Sequence, residues 1–187
     1  MKIKTGIVIL LIILALSLFL FGGFCLESPS AMWVGIAEGQ AGRGEYDKAI
    51  VSFNTALEES PDSWYVYLHR GEFFLKIERY EEAAADLTKV IELYPDIYDS
   101  YNIYAERGDC YRKLLRYDAA IDDYNRAISI RPNHAPALFG RGLANFAVGR
   151  NMEALADLGH ACGLRYEPAC EKYKEMAANP GPQTDAP

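Results

Sequence analysis

The stretch Arg79-Tyr-Glu-Glu-Ala83-Ala-Ala-Asp-Leu87-Thr-Lys-Val90, closed by Pro95, decides how the rest of the chain is read. The same succession returns as Glu45-Tyr-Asp-Lys-Ala49-Ile-Val-Ser-Phe53-Asn-Thr-Ala56 before Pro61. It returns again as Arg116-Tyr-Asp-Ala-Ala120-Ile-Asp-Asp-Tyr124-Asn-Arg-Ala127 before Pro132. A fourth, weaker copy, Arg150-Asn-Met-Glu-Ala154-Leu-Ala-Asp-Leu158-Gly-His-Ala161, has Tyr166 in place of the closing proline. Self-similarity at a fixed spacing marks a repeat architecture. Proline cannot continue a helix and is common just past a helix end, so each of the first three copies predicts a helix that stops short of its proline. Pro61 and Pro95 stand 34 residues apart, and Pro95 and Pro132 stand 37 apart. The extra residues fall within 96–100 and amount to nearly one helical turn, with Asp96 placed as an N-cap.

Upstream of each copy lies a partner helix. The clearest are Trp64-Tyr-Val-Tyr67-Leu-His-Arg-Gly71-Glu-Phe-Phe74, Tyr101-Asn-Ile-Tyr104-Ala-Glu-Arg-Gly108-Asp-Cys-Tyr111 and Ala135-Pro-Ala-Leu138-Phe-Gly-Arg-Gly142-Leu-Ala-Asn145. Tyr67, Gly71 and Phe74 share one helical face. Gly71, Gly108 and Gly142, with Ala83, Ala120 and Ala154, are small residues that let paired helices approach closely, while Tyr, Phe and Leu fill the space between layers. The first unit is degenerate, with Trp33, Ile36, Ala37 and Gln40 in the matching places.

Over residues 30–168 this pattern resembles the tetratricopeptide repeat. The resemblance implies an all-α, right-handed α-solenoid of about four helix-turn-helix repeats plus a capping helix. The units are expected at 30–63 (degenerate), 64–97, 101–134 and 135–168, with a capping helix over 169–178 and a disordered Pro/Gly-rich tail at 179–187. Arg70, Arg107 and Arg141 each precede the helix glycine, and Asp86, Asp123 and Asp157 each follow sixteen residues later. The first unit has neither, carrying Ile36 and Ser52. This matched presence predicts an ion pair inside each repeat, partly buried, that fixes the packing of its two helices.

After Ala161 the chain reads Cys162-Gly-Leu-Arg-Tyr-Glu-Pro-Ala-Cys170. This end resembles Sel1-like repeats of exported solenoid proteins, and that resemblance implies a disulfide between Cys162 and Cys170 that staples one helix end to the next helix start. Cys110, on an apolar helix face, reads as a small core residue.

The N-terminus begins Met1-Lys-Ile-Lys-Thr5, and no charged residue occurs from Gly6 to Leu26. An apolar run of about 18 or more residues spans a bilayer as a helix, whereas signal-peptide cores are usually about 7–15 residues and end in a small-x-small site. The exit, Phe21-Gly-Gly-Phe-Cys25-Leu-Glu, has no Ala-x-Ala. An uncleaved signal-anchor over 1–26, forming an N-terminal hydrophobic helix, is the favoured reading. A cleaved signal and a lipidated Cys25 remain open, although Phe24 stands where a lipoprotein signal has a small residue. Positive charge before the span and Glu27 after it put the repeat body outside the cytoplasm, on the periplasmic side of a bacterial envelope. Secretion or lipid anchoring after cleavage is the alternative.

The net charge is −7, and −9 without the N-terminal segment, whose only charges are Lys2 and Lys4. Phosphate neutralisation needs Lys and Arg, so the acidic body argues against nucleic acid and against electrostatic docking on anionic lipid. None of the three histidines, His69, His134 and His160, pairs with Cys or His at metal-ligand spacing. No nucleotide loop, nucleophile elbow or zinc-protease helix appears. No catalytic, cofactor or metal residue is expected. What the resemblance offers is a concave groove lined by the first helix of each unit. Its implied lining is Val34, Glu38 and Gly42; Tyr65, Leu68, Glu72 and Lys76; Asn102, Ala105, Asp109 and Arg112; and Phe139, Leu143 and Phe146. The Lys, Arg and Asn set with which co-chaperones of this family hold a C-terminal carboxylate is largely missing. Glu38, Glu72 and Asp109 instead predict a groove acidic at one end and aromatic at the other, suited to a basic and apolar peptide or protein partner. Self-association through the degenerate first unit, or service as an accessory to a cell-envelope enzyme, are the competing expectations.

Overall fold

The computed structural model describes residues 28–95 and 100–178. The hydrophobic stretch 1–26 with Cys25, the N-cap expected at Asp96 and the 179–187 tail lie outside the described residues. Among the described residues no helix is long and apolar enough to cross a membrane.

Helices run throughout: α1 (Pro29–Gly42), α2 (Tyr46–Glu59), α3 (Trp64–Lys76), α4 (Tyr80–Leu93), α5 (Ser100–Lys113), α6 (Tyr117–Ile130), α7 (Ala135–Ala147), α8 (Asn151–Gly163) and α9 (Glu167–Ala178). They stack as four hairpins, α1/α2 to α7/α8, each packed on the next, and α9 packs against α8. The result is an all-helical solenoid. Each first helix ends at a left-handed residue at the same register position: Gly44 (φ 77°), Glu78 (φ 62°), Leu115 (φ 61°) and Gly149 (φ 82°). Glycine adopts this conformation freely, whereas at Glu78 and Leu115 the side chain adds about 1 kcal/mol of strain or more. The first helices of units one and two start under serine caps, Ser28 accepting from the Ala31 N–H at 3.3 Å and Ser63 from the Val66 N–H at 3.4 Å.

The small residues allow the close approach expected of them. A Cβ at Gly71 would lie 3.4 Å from Leu87, one at Gly108 2.9 Å from Tyr124, and one at Gly142 2.9 Å from Leu158. In units two to four the second helix therefore drives a large side chain into the first helix at its glycine. Phe53, Leu87, Tyr124 and Leu158 fill this one position in the four units and are all buried, as are Ala49, Ala83, Ala120 and Ala154 one turn earlier.

The arginine–aspartate pairs form in all three units that carry them. Arg70 Nε and Nη2 donate to Asp86 at 2.8 and 2.7 Å, Arg107 to Asp123 at 2.8 and 2.7 Å, and Arg141 to Asp157 at 2.8 and 2.6 Å. Each arginine also turns its Nη1 to the preceding repeat: Arg70 to Asn54 Oδ1 at 2.7 Å, Arg107 to Thr88 Oγ1 at 3.0 Å, Arg141 to Asn125 Oδ1 at 2.6 Å. The pairs thus form a ladder that ties repeat to repeat as well as helix to helix. Burial raises the Asp86 and Asp123 carboxyls, and their arginines pull them back down. In the first unit Ser52 donates to Gln40 Oε1 at 2.8 Å instead.

The ladder is not continued in α9. In α9 the arginine position is Tyr173, whose ring lies 3.2 Å from where a Gly159 Cβ would be, and Gly159 occupies the Asn54/Thr88/Asn125 position. The next residue, at the helix-glycine position, is the exposed Lys174. Ala169, Cys170 and Met176 face inward. Cys162 and Cys170 are joined by a disulfide, S–S 2.00 Å, between the end of α8 and the start of α9. Cys110 is buried, and burial with the nearby Asp109 and Glu106 carboxylates pushes its thiol up to about 12, as befits a core residue rather than a nucleophile.

Candidate functional site: an acidic-to-apolar groove

The first helices and α9 carry the side chains of one long face. At its N-terminal end a cavity of about 280 Å³ opens between α1 and α3, lined by Glu38, Ala41, Gly42, Phe53, His69, Glu72, Phe73 and Lys76. The rings of Phe53 and Phe73, centres 5.5 Å apart, form the cavity's floor and are themselves buried, 1% and 6% exposed, beneath Ala41 and Gly42 at the end of α1. Glu38 Oε1 lies 2.9 Å and Glu72 Oε2 3.7 Å from His69 Nδ1, and the Tyr65 ring sits 4.3 Å from the imidazole. The cavity has an apolar floor and a rim of two carboxylates, the His69 imidazole and the Lys76 ammonium.

One repeat further, the wall is a hydrogen-bonded triad. Tyr124 donates to Asp109 Oδ1 at 2.8 Å, Arg112 Nη2 donates to the same oxygen at 2.8 Å, and Arg112 Nε donates to the Tyr124 oxygen at 3.3 Å. Tyr124 belongs to α6, behind the groove. It reaches through because Gly108 lies on one side of its ring and Gly140 on the other, where a Cβ would overlap the phenol. Burial, then Asp109, raises the phenol far above its ordinary value, so it is always a donor. Glu106, three residues before Asp109 and on the same face, is half-buried. Burial, reinforced by the Glu72 and Asp109 charges, pushes its carboxyl up to about 7.

At the C-terminal end the groove turns apolar. Phe139 packs on Tyr166 with ring centres 5.5 Å apart, Leu143 is half-buried, and Phe146 is 38% exposed under the Lys172 ammonium, 5.5 Å from the ring centre. Lys172 itself pairs with Glu175 at 2.9 Å.

The expected lining separates into three groups. Glu38, Gly42, Glu72 and Lys76 meet in the first cavity, and Asp109 and Arg112 meet in the triad. Tyr65, Asn102, Phe139, Leu143 and Phe146 lie along the face between and beyond them, and Leu68 is half-buried against the core. Val34 and Ala105 are corrections: Val34 is fully buried and Ala105 nearly so, because this register position turns into the contact between neighbouring first helices. The sequence reading missed His69, Glu106, Tyr124 and Lys172. His69 and Glu106 stand three residues before Glu72 and Asp109, and that spacing was the signal available. A second cavity of about 490 Å³, walled by α6, α7 and α8, surrounds the third ladder step, and its arginine, Arg141, is held by Asp157 and Asn125.

Tetratricopeptide-repeat family models match residues 35–97 and residues 101–134. The chain is a tetratricopeptide-repeat protein. Solved structures repeat the architecture. The crystal structure of MamA superimposes with a TM-score of 0.71 at 21% identity, over 77% of this chain and 78% of that one. YrrB, described as a TPR protein with an unusual peptide-binding site, gives 0.66 at 19% identity, over 82% and 78%. MamA of MSR-1 gives 0.66 at 22% identity, over 74% and 78%. At these identities the likeness is one of fold. No curated protein matches the chain. A shared scaffold does not by itself fix the chemistry of its groove.

Proposed function

We propose that this protein is a non-enzymatic interaction scaffold whose tetratricopeptide groove binds a peptide or protein segment carrying basic and apolar side chains. The observation that carries this reading is the cavity between α1 and α3, with Phe53 and Phe73 beneath a rim of Glu38 and Glu72. An ammonium or guanidinium seated beside Glu38 and Glu72 gains Coulomb complementarity, and an apolar neighbour packs into the cavity against Ala41 and Gly42. The uncharged run Gly6–Leu26 tethers the body to a membrane as an uncleaved hydrophobic helix, with the groove on the extracytoplasmic side. The Cys162–Cys170 disulfide supports an oxidising compartment and a Sel1-like end to the array.

The test is site-specific photo-crosslinking in intact cells. A photoreactive residue replacing Tyr65 in the groove is to be compared with one replacing Lys89, on the exposed face of α4. The reading expects partner adducts from the Tyr65 position that vanish when Glu38→Lys and Glu72→Lys are added. Adducts from Lys89 alone, or groove adducts indifferent to the charge reversals, would contradict it.

A second reading is favoured by one observation. Met32 (52% exposed) and Ile36 (38% exposed) leave an apolar edge on α1, at the end of the array that lacks a ladder arginine. A second copy would cover it. Light scattering of the full chain in detergent separates the two readings: a dimer dissociated by Met32→Glu and Ile36→Glu favours self-association.

A further inference from the structure

We propose that the cavity walled by α6, α7 and α8 is a second binding site, separate from the groove, that takes a tyrosine side chain of a protein partner between Arg141 and Arg150, with its hydroxyl on the Asn145 amide.

In units two and three a ring of the chain itself fills the equivalent place. Three residues after the helix glycine stand Phe74 and Tyr111. The Phe74 ring lies beside two guanidinium groups, Arg70 at 5.7 Å and Arg79 at 5.0 Å from its centre, and Tyr111 lies 5.8 Å from Arg107. A second ring backs each ladder arginine, Tyr67 on Arg70 and Tyr104 on Arg107, both at 5.7 Å. In unit four these two positions are Asn145 and Leu138. The counterparts of Arg70 and Arg79, which are Arg141 and Arg150, remain, and both line the cavity of about 490 Å³. Among the described residues no ring lies over either of them. The Arg141 side chain is accordingly 24% exposed, against 18% for Arg70 and 16% for Arg107.

The cavity keeps the means to hold a ring. The bonds from Arg141 to Asp157 and Asn125 fix its guanidinium without using its face, the surface on which aromatic rings stack. Arg150 is exposed and reaches Asp118 at only 3.5 Å, so it is free to close over a ring as Arg79 does over Phe74. Asn145 points to the ligand independently. It is 5% exposed, lines the cavity, and its side-chain amide bonds to no described residue. Its counterpart in unit one, Gln40, accepts from Ser52 at 2.8 Å. A buried amide without a partner is costly. A phenol entering edge-first brings its hydroxyl to Asn145, whereas a phenylalanine ring would bring only C–H. The volume falls within the range of about 300–1,000 Å³ typical of ligand sites, so there is room for backbone as well as a ring. At the mouth the exposed Asn125 and Glu153 offer polar groups to that backbone.

The test titrates acetyl-Gly-Tyr-Gly-amide into the isotope-labelled full chain in detergent and follows the Asn145 side-chain amide by NMR. A saturable shift is expected, unaffected by Glu38→Lys/Glu72→Lys. Replacing tyrosine by phenylalanine in the peptide should weaken binding about fivefold, one neutral hydrogen bond, and Asn145→Ala should abolish that preference. Asn145→Phe should fill the cavity from within, raise the urea midpoint and block the peptide. Asn145→Leu repeats the block without a ring, the peptide being followed there by its own line broadening. No saturable shift at Asn145, undiminished binding to both filled variants, or loss of binding in Glu38→Lys/Glu72→Lys would overturn the assignment. Equal affinity for 4-hydroxyphenylacetamide, a ring without a peptide, would overturn the protein partner in favour of a free phenol. None of these results bears on the groove's preference for basic segments, except the loss in Glu38→Lys/Glu72→Lys, which would move the peptide there.

Discussion

Arg107→Met removes the ladder arginine that is least exposed. The Arg107 side chain is 16% exposed and Asp123 8%, so solvent screens the pair little. The substitution deletes two charge-assisted hydrogen bonds to Asp123 and one bond to Thr88 of the preceding repeat. It also strands a carboxylate whose burial already disfavours its charge. Breaking one side of such a pair costs about 3–5 kcal/mol, much of it from the abandoned partner. Since Asp123 can escape by protonating, the lower end, about 3 kcal/mol, is expected near pH 7. The double variant Arg107→Met/Asp123→Leu abandons no charge and should lose only about 1 kcal/mol, a coupling energy of roughly 2 kcal/mol or more. Urea unfolding of the four chains of the cycle, followed by circular dichroism with the disulfide intact, measures it. A coupling energy below about 0.5 kcal/mol would refute the claim that the pair fixes the packing of α5 on α6.

Four more expectations concern the groove wall, α9 and the half-buried carboxyl. Tyr124→Phe keeps the ring between Gly108 and Gly140 but leaves Asp109 without its phenol donor, for a loss of about 1–2 kcal/mol. Gly140→Ala forces a methyl group onto that ring and should destabilise by about 1–3 kcal/mol, a loss relieved when Tyr124→Leu is combined with it. Denaturant unfolding reads both. Reducing Cys162–Cys170 releases the short α8–α9 loop, worth roughly 2–3 kcal/mol in the chain-entropy model. Hydrogen exchange should then accelerate in α9, with α3–α6 unaffected. Folding strengthens proton binding at Glu106, so its contribution to stability is complete below its ordinary value of 4.5 and fades as the pH rises through about 7. Glu106→Gln is therefore expected to stabilise the chain by up to about 3 kcal/mol at pH 8.5 and by nothing near pH 4, as read by denaturant unfolding across pH.

The scaffold was legible because it obeys period and size. The small residues at Gly71, Gly108 and Gly142 and the stops at Pro61, Pro95 and Pro132 say where helices meet and end, and the ion pairs could be read from their sixteen-residue spacing. The groove was legible only in part. Glu38, Glu72 and Lys76 share a cavity because register alone places them. His69 and Glu106 escaped because a residue one turn away on the same face looks like ordinary helix surface until burial is known. Tyr124 escaped for a deeper reason. Its register position belongs to the core in every unit, and only the glycine opposite it, Gly140, lets a core residue reach the ligand side. Lys172 was hidden because α9 reads as a cap, whereas its groove-side turn covers Phe146.

The central claim is that this groove, through its acidic end, recognises a basic and apolar segment. It is tested most directly by the affinity of one peptide, selected on the full chain in detergent from a random dodecapeptide library, for the wild-type chain and for Glu38→Lys/Glu72→Lys, measured at pH 8 and low salt. The two carboxylate side chains are 55% and 48% exposed, so the fold should tolerate the reversals. The account predicts at least a tenfold loss, about 1.4 kcal/mol, that shrinks as salt is added. An unchanged dissociation constant would contradict it.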